Sequence, residues 1–166
     1  TEFLREPPQP KKDLPNLELH YCKWLETYIT PETAKKFEIG LVKQKSIITG
    51  RIAFKIYDHE GNHTGYIGYH EEQKNWYFPK GFKRPLYNYH LYKKEKDIYL
   101  TSDLMKCLTL SQEGLKCCCL LGKSMTEEQE KVLKPFSTIT LIHSEPDNIV
   151  KRLLPYTFLK TPNSAE

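Results

Sequence analysis

The hydrophobic period of this chain changes partway along it, and that change restricts the folds it can adopt. After Gly50 apolar residues recur at every second position: Ile52, Phe54 and Ile56 alternate with Arg51, Ala53, Lys55 and Tyr57, the pattern of a strand with one face buried. Asp58 to Asn62, with Gly61 inside it, has turn chemistry, and Thr64 to Tyr69 returns as the partner strand of a hairpin. Trp76 to Phe78 reads as a third strand and Lys80 to Tyr89 as an irregular basic loop. Beyond residue 96 the rhythm becomes an alternation of strands and helices. Ile98 to Thr101, Lys116 to Leu121, Ser137 to His143 and Tyr156 to Lys160 are strand-like. Between them lie a helical stripe of Leu104, Cys107, Leu108 and Leu110 closing near Gly114, a helix begun by Thr126, and another over Asp147 to Leu154. Strands separated by helices in this way imply a small parallel sheet with right-handed crossovers. In such sheets a ligand sits outside the carboxyl ends of the strands.

The first part of the chain is less regular. Residues 1–15 hold four of the eleven prolines and no apolar period, the signature of an extended arm. Leu17, Tyr21, Trp24, Leu25 and Tyr28 then fall on one face of a 3.6-residue period and predict a helix. Thr30 can cap a second, short helix with Pro31 at its first position, where a missing N–H costs nothing, ending near Phe37. The organisation expected is therefore an arm over 1–15, a mixed α+β subdomain over 16–95 and a parallel α/β subdomain over 96–166. The fold class is α/β.

Composition narrows the class of protein. Hydrophobic residues make up 39% of 166, and no apolar run approaches the roughly 20 residues of a membrane-spanning helix. No signal segment opens the chain, and its start without Met reads as a fragment or a trimmed chain. Five cysteines, three of them consecutive at 117–119, have no zinc-ligand spacing. They are read as small, buried, reduced thiols, with Cys117 to Cys119 on a central strand, in a cytoplasmic protein. The net charge of +4 is unremarkable, but its distribution is not. From Lys74 to Lys96, seven bases (Lys74, Lys80, Lys83, Arg84, Lys93, Lys94, Lys96) stand against Glu95 alone, with Trp76, Tyr77, Phe78, Phe82, Tyr87, Tyr89 and Tyr92 interleaved. Cations that track phosphates beside rings that stack on bases are how single-stranded nucleic acid is held. The competing reading puts Trp76, Phe78 and Phe82 in the core and the lysines on a solvated rim.

The ordered motifs carry a resemblance. Ile29 to Thr33, Gly50 to Asp58, Gly61 and Gly65-Tyr66-Ile67-Gly68, followed by Trp76-Tyr77 and Phe82-Lys83-Arg84-Pro85-Leu86-Tyr87-Asn88, resemble the N-terminal subdomain of the bacterial replicative primase catalytic core. The likeness extends to the smaller primase-like proteins of plasmids, phages and mobile elements. Leu104 to Leu115 and Leu121-Gly122-Lys123-Ser124-Met125-Thr126-Glu127-Glu128-Gln129 are similar to the TOPRIM domain that follows it. The similarity runs over roughly residues 17–145. It implies a template strand running along the first subdomain, with Lys83 and Arg84 as its contacts and Lys80, Tyr77 and Arg51 near them. Arg51 opens a strand and can face either a phosphate or a local acid.

The departures from the family pattern bear on chemistry. A TOPRIM site holds Mg²⁺ with a Glu after its first strand and an Asp-x-Asp after its third. Here those positions fall on Ser102, with Asp103 beside it, and on Ser144-Glu145-Pro146. Serine and proline supply no carboxylate, so the resemblance implies an inactivated site with no catalytic residue, no metal and no cofactor. Shifting the alignment by one residue brings Asp103, Glu145 and Asp147 near the strand ends, and Mg²⁺ would enter only on that reading. Its rival makes Asp147 a helix cap and Glu145 a loop residue. The family's zinc module has no counterpart in this sequence. His59 and His63 flank the hairpin turn and need no role beyond it, while His143 is read as a buried, satisfied histidine.

The expectation is a catalytically inactive primase-like module that binds single-stranded DNA or RNA within a larger mobile-element, phage or defence assembly, with a protein partner and no membrane. The alternatives are a protein–protein adaptor that binds no nucleic acid and a residual Mg²⁺-dependent primase or nuclease.

Overall fold

Ile52 to Tyr57, the period-two stretch, lies at the centre of a five-stranded antiparallel sheet. The computed structural model describes residues 16–142 and 147–160; the arm over 1–15, His143, Ser144, Glu145 and Pro146 lie outside them. Chain order begins with β1 (Leu19–His20), α1 (Lys23–Glu26), α2 (Pro31–Lys36), β2 (Ile39–Val42), β3 (Ile52–Tyr57), β4 (His63–His70) and β5 (Asn75–Tyr77). These strands pair in the order β1-β2-β3-β4-β5, every neighbour antiparallel. Then come α3 (Tyr89–Tyr92), β6 (Asp97–Thr101), α4 (Leu104–Gln112), β7 (Cys117–Cys119), α5 (Glu127–Leu133), β8 (Thr138–Ile142), α6 (Asp147–Leu153) and β9 (Phe158–Lys160). The second sheet is wholly parallel, in the order β7-β6-β8-β9.

Local chemistry explains the element ends. Thr30 accepts the N–H of Thr33 and starts α2 with Pro31 at its first position. Thr126 and Gln129 form a reciprocal capping box at α5, which satisfies two donors that a helix start otherwise leaves open. At the β3–β4 turn the Asp58 carboxylate accepts the N–H groups of Glu60 and Asn62, and Gly61 takes a φ of +94° that a side chain would resist.

Two expectations are corrected. The helix predicted from Leu17 to Tyr28 shrinks to the four residues of α1, because Leu17 and Leu19 face a satellite cluster with Val42, Ile48, Ala53 and Tyr66 and β1 pairs with β2. β2 itself has no sequence signal. It contains Gly40, where an added Cβ would lie 2.7 Å from the His20 nitrogen, so β1 can approach only at a glycine. The cysteine strand is an edge strand, not a central one, though its three side chains are fully buried.

The two sheets share an interior. Leu104, Met105, Cys107, Leu108 and Leu110 of α4 pack in one cluster with Ile39, Ile52, Phe54, Ile56 and Ile67 of the antiparallel sheet and with Cys117 and Cys119 of β7. The opposite face of the parallel sheet, with Ile98, Leu100, Cys118, Ile139 and Leu141, packs on Leu133 of α5 and on Ile149 and Leu153 of α6. Burying each such side chain stabilises the fold by about 1.5–3 kcal/mol.

Candidate nucleic-acid interface

Six rings run in sequence across the surface between the sheets. Trp24 lies 4.8 Å from Tyr28 and 5.2 Å from Tyr69; Tyr69 lies 5.0 Å from Trp76, Trp76 6.3 Å from Phe78, and Phe78 5.6 Å from Phe82, centroid to centroid. The turn that closes when the Phe82 N–H reaches the Pro79 carbonyl, with Gly81 at φ +75°, folds Phe82 back onto Phe78. Lys80 within the turn and Lys83 just after it are exposed. Trp76 and Phe78 are 37% and 42% exposed, too open for core residues.

Trp76 and Phe78 form one wall of a cavity of about 260 Å³ whose other walls are Ile67, Ser102, Asp103, Leu104, Leu121 and Gly122. Ser102 and Asp103 follow β6 and Leu121 and Gly122 follow β7, so the cavity opens at the carboxyl ends of parallel strands, where binding sites of such sheets form. The Asp103 carboxylate accepts the Met105 N–H and caps α4. Ser102 supplies only a hydroxyl. Among the described residues, this strand end offers Mg²⁺, which is usually held by one or two carboxylates with waters and substrate phosphates, one hydroxyl and the single Asp103 carboxylate, which is engaged in the cap. Asp147 is the first residue of α6; Glu145 lies outside the described residues. Among the described residues, no three His, Cys, Asp or Glu side chains are arranged to hold a metal ion.

The structure separates the residues that sequence reasoning grouped. Tyr77 packs with the satellite cluster on the far face of the antiparallel sheet, whereas Trp76 stacks near Phe54 and Tyr69 on the core-side face. Arg51 lies across Gly68, donating from Nη1 to the Asn75 carbonyl at 3.1 Å and the Asn75 side chain at 3.0 Å. Its partners are thus local carbonyls, not an acid. Lys80 and Lys83 remain with the ring series. Arg84 turns away from them and donates to Leu120 O at 3.3 Å, Ser124 O at 3.1 Å and Ser124 Oγ at 3.1 Å.

Arg84 begins a stitched segment. The buried Gln129 side chain donates to Pro85 O and Leu120 O, at 3.0 and 2.8 Å. The Leu86 N–H donates to His59 Nε2 at 2.8 Å, and Tyr87 exchanges two backbone hydrogen bonds with Cys119. Residues 84–87 thus cover the outer edge of β7, an edge that would otherwise template pairing with another chain. His59, read from sequence as a turn residue only, is one of the fasteners; burial holds its pKa below the ordinary value despite Glu60, Asp58 and Glu128 nearby. Tyr92 behind this segment is pushed up to about 12, by burial first and by neighbouring cysteines second.

The far face carries a charged trio that sequence reading missed. Glu38, at φ +57°, accepts from Lys55 Nζ at 2.8 Å and from the Tyr57 hydroxyl. Burial alone would raise the Glu38 carboxyl, but the bonds from Lys55 and Tyr57 outweigh it and hold its pKa below the ordinary value. Only the alternation of Lys55 and Tyr57 along β3 signals that the two share a face.

Comparison with known proteins places this architecture. No protein-family profile matches the chain. A DNA primase of Geobacillus stearothermophilus is 29% identical over 107 residues, covering 56% of this chain and 18% of the relative's length. The primase fragment of the bacteriophage T7 primase-helicase protein superposes with a TM-score of 0.69 at 17% identity, covering 96% of this chain and 74% of that one. A T7 lagging-strand DNA polymerase structure, in which the primase domains of two gp4 subunits are bound to an RNA/DNA hybrid and dTTP, matches with a TM-score of 0.64 at 17% identity over 88% of this chain and 80% of that one. The chain is primase-core-like in fold, an antiparallel sheet and a parallel sheet with helices arranged as in those proteins. It spans about a fifth of the length of the bacterial relative.

Proposed function

We propose that this primase-core-like chain binds single-stranded nucleic acid along its ring series and into the adjoining cavity, as a module without phosphoryl-transfer chemistry of its own inside a larger assembly. The observation that carries the proposal is the half-exposed Trp76–Phe78–Phe82 stack beside exposed Lys80 and Lys83. Rings in this setting take up bases at about 1–3 kcal/mol each, and the lysines beside them neutralise phosphates. The T7 primase domains bound to an RNA/DNA hybrid support a nucleic-acid partner. The serine after β6 and the capping role of Asp103 support the absence of catalysis.

The test is a fluorescence-anisotropy titration of a labelled single-stranded 20-mer, DNA and RNA, at low and physiological salt, with and without Mg²⁺. Binding that weakens steeply with salt, is indifferent to Mg²⁺ and falls at least about tenfold in a Trp76→Ala, Phe78→Ala double variant is the expected result. No binding at either salt overturns the proposal and leaves a protein adaptor. Mg²⁺-dependent nucleotide incorporation or cleavage that disappears in Glu145→Ala overturns its non-catalytic part.

A further inference from the structure

We infer that Arg84 is a positioning residue: it pins the Leu121–Ser124 turn that floors the cavity, and leaves contact with phosphates to Lys80 and Lys83. The inference rests on the binding reading above and assigns different work to two adjacent cations. Lys83, just after the Pro79–Phe82 turn, is exposed. Arg84 is half-buried, and its guanidinium is bonded at both ends of the Leu121–Ser124 turn, to Leu120 O just before it and to O and Oγ of Ser124, its last residue. Charge-assisted bonds of this kind are stronger than neutral ones, and a planar fork reaching three acceptors is something lysine cannot copy.

Two features of the turn fit a clamp rather than a chance contact. Leu121 sits at φ +58°, in the left-handed region that a bulky residue adopts only when its surroundings hold it there. A side chain at Gly122 would push the Arg84 guanidinium off the turn. The Gly122 backbone does not lie in the left-handed region, yet an added Cβ would fall 2.1 Å from Arg84 Nη1. Leu121 and Gly122 both line the cavity, so the turn's conformation sets the cavity's shape opposite Trp76 and Phe78. Sequence reading placed Arg84 with Lys83 because the pair looks like one basic patch; the partners that separate them lie 36 and 40 residues away.

The experiment uses the full chain and the labelled 20-mer, reading affinity across a salt series together with thermal midpoints. Arg84→Lys keeps the charge, so the slope of log affinity against log salt should stay at its wild-type value while affinity drops by about tenfold, the scale of one lost charge-assisted hydrogen bond. Gly122→Ala should produce a loss of the same size without altering any charge, and the double variant should fall no further, because both changes remove one clamp. Lys83→Gln should behave oppositely, lowering the slope by about 0.7 with no change in midpoint. Ser124→Ala, which removes one of the three acceptors, gives a milder version of the clamp defect if a stronger variant does not fold. Wild-type affinity in Arg84→Lys, or additive losses in the double variant, would overturn the inference. Should the wild-type chain bind no oligonucleotide, the binding reading fails by itself. The clamp is then judged on midpoints, where equal, non-additive losses for Arg84→Lys and Gly122→Ala support it and unchanged midpoints sink it.

Discussion

The antiparallel and parallel sheets are built from similar residues but use their surfaces differently. The antiparallel sheet buries one face against α1, α2 and α4, while the other carries Lys55, Tyr57, Tyr66 and Tyr77 around a small satellite cluster. Its last strands bring Trp76 and Phe78 to the open. The parallel sheet is covered on both faces, and its β7 edge is closed by residues 84–87. One sheet therefore displays side chains, and the other supplies a rigid floor for what is displayed.

Three changes would break or sharpen this contrast. The largest effect belongs to α4, the layer the sheets share. Leu108→Ala, at a fully buried position, should cost about 2–5 kcal/mol. If the shared interior makes the sheets one cooperative unit, the loss appears as a single shifted transition in urea, with both tryptophan fluorescence and far-UV circular dichroism reporting the same midpoint. A smaller effect belongs to the sealed edge. Gln129→Leu removes the acceptor for the Thr126 N–H, leaving the Thr126 half of the capping box, and the donors to Pro85 O and Leu120 O, and should cost about 2 kcal/mol in the same assay.

The smallest effect comes from acid. His59, His63 and His90 all have pKa values held below the ordinary 6.5, in each case by burial first. Lys55 adds to the lowering at His63 and Lys93 at His90, while Glu38 opposes it at both and Asp58 opposes it at His59 and His90. Unfolded, these rings take up protons more readily than they do folded, so the stability they confer is complete above about pH 6.5 and is lost as pH falls through their folded values. Thermal midpoints should therefore decline on acidification from pH 7.5 to 5. His59→Gln, which keeps an acceptor for the Leu86 N–H, should flatten part of that decline. An unchanged slope in that variant would exclude His59 as a contributor.

Much of this fold is legible in the residues themselves, for identifiable reasons. The β3–β4 hairpin follows from alternation and a glycine turn, α5 from Thr126 and Gln129, and the parallel sheet from strands too short and apolar to be anything else between helices. Local chemistry decides those elements. β1 and β2 escape because their pairing is decided by an approach across Gly40, which no local pattern encodes. The candidate site divides in the same way. The density of aromatic and basic residues between 74 and 96 is plain in the sequence, but the sorting of Trp76 from Tyr77, and of Lys83 from Arg84, is made by partners distant in sequence.

The cysteines allow one more deduction. Cys107, Cys117, Cys118 and Cys119 are wholly enclosed, and burial raises the pKa values of Cys107, Cys118 and Cys119, so that thiolate at these three is scarce at neutral pH. Since thiolate is the reactive form, an alkylating reagent in the native state meets only half-buried Cys22. The enclosed sulfurs act as two stopwatches inside the molecule: Cys107, Cys117 and Cys119 become available when the interior shared by α4 and the antiparallel sheet opens, Cys118 when α5 and α6 leave the other face of the parallel sheet, and the pace of modification at each reads how often that layer lets go.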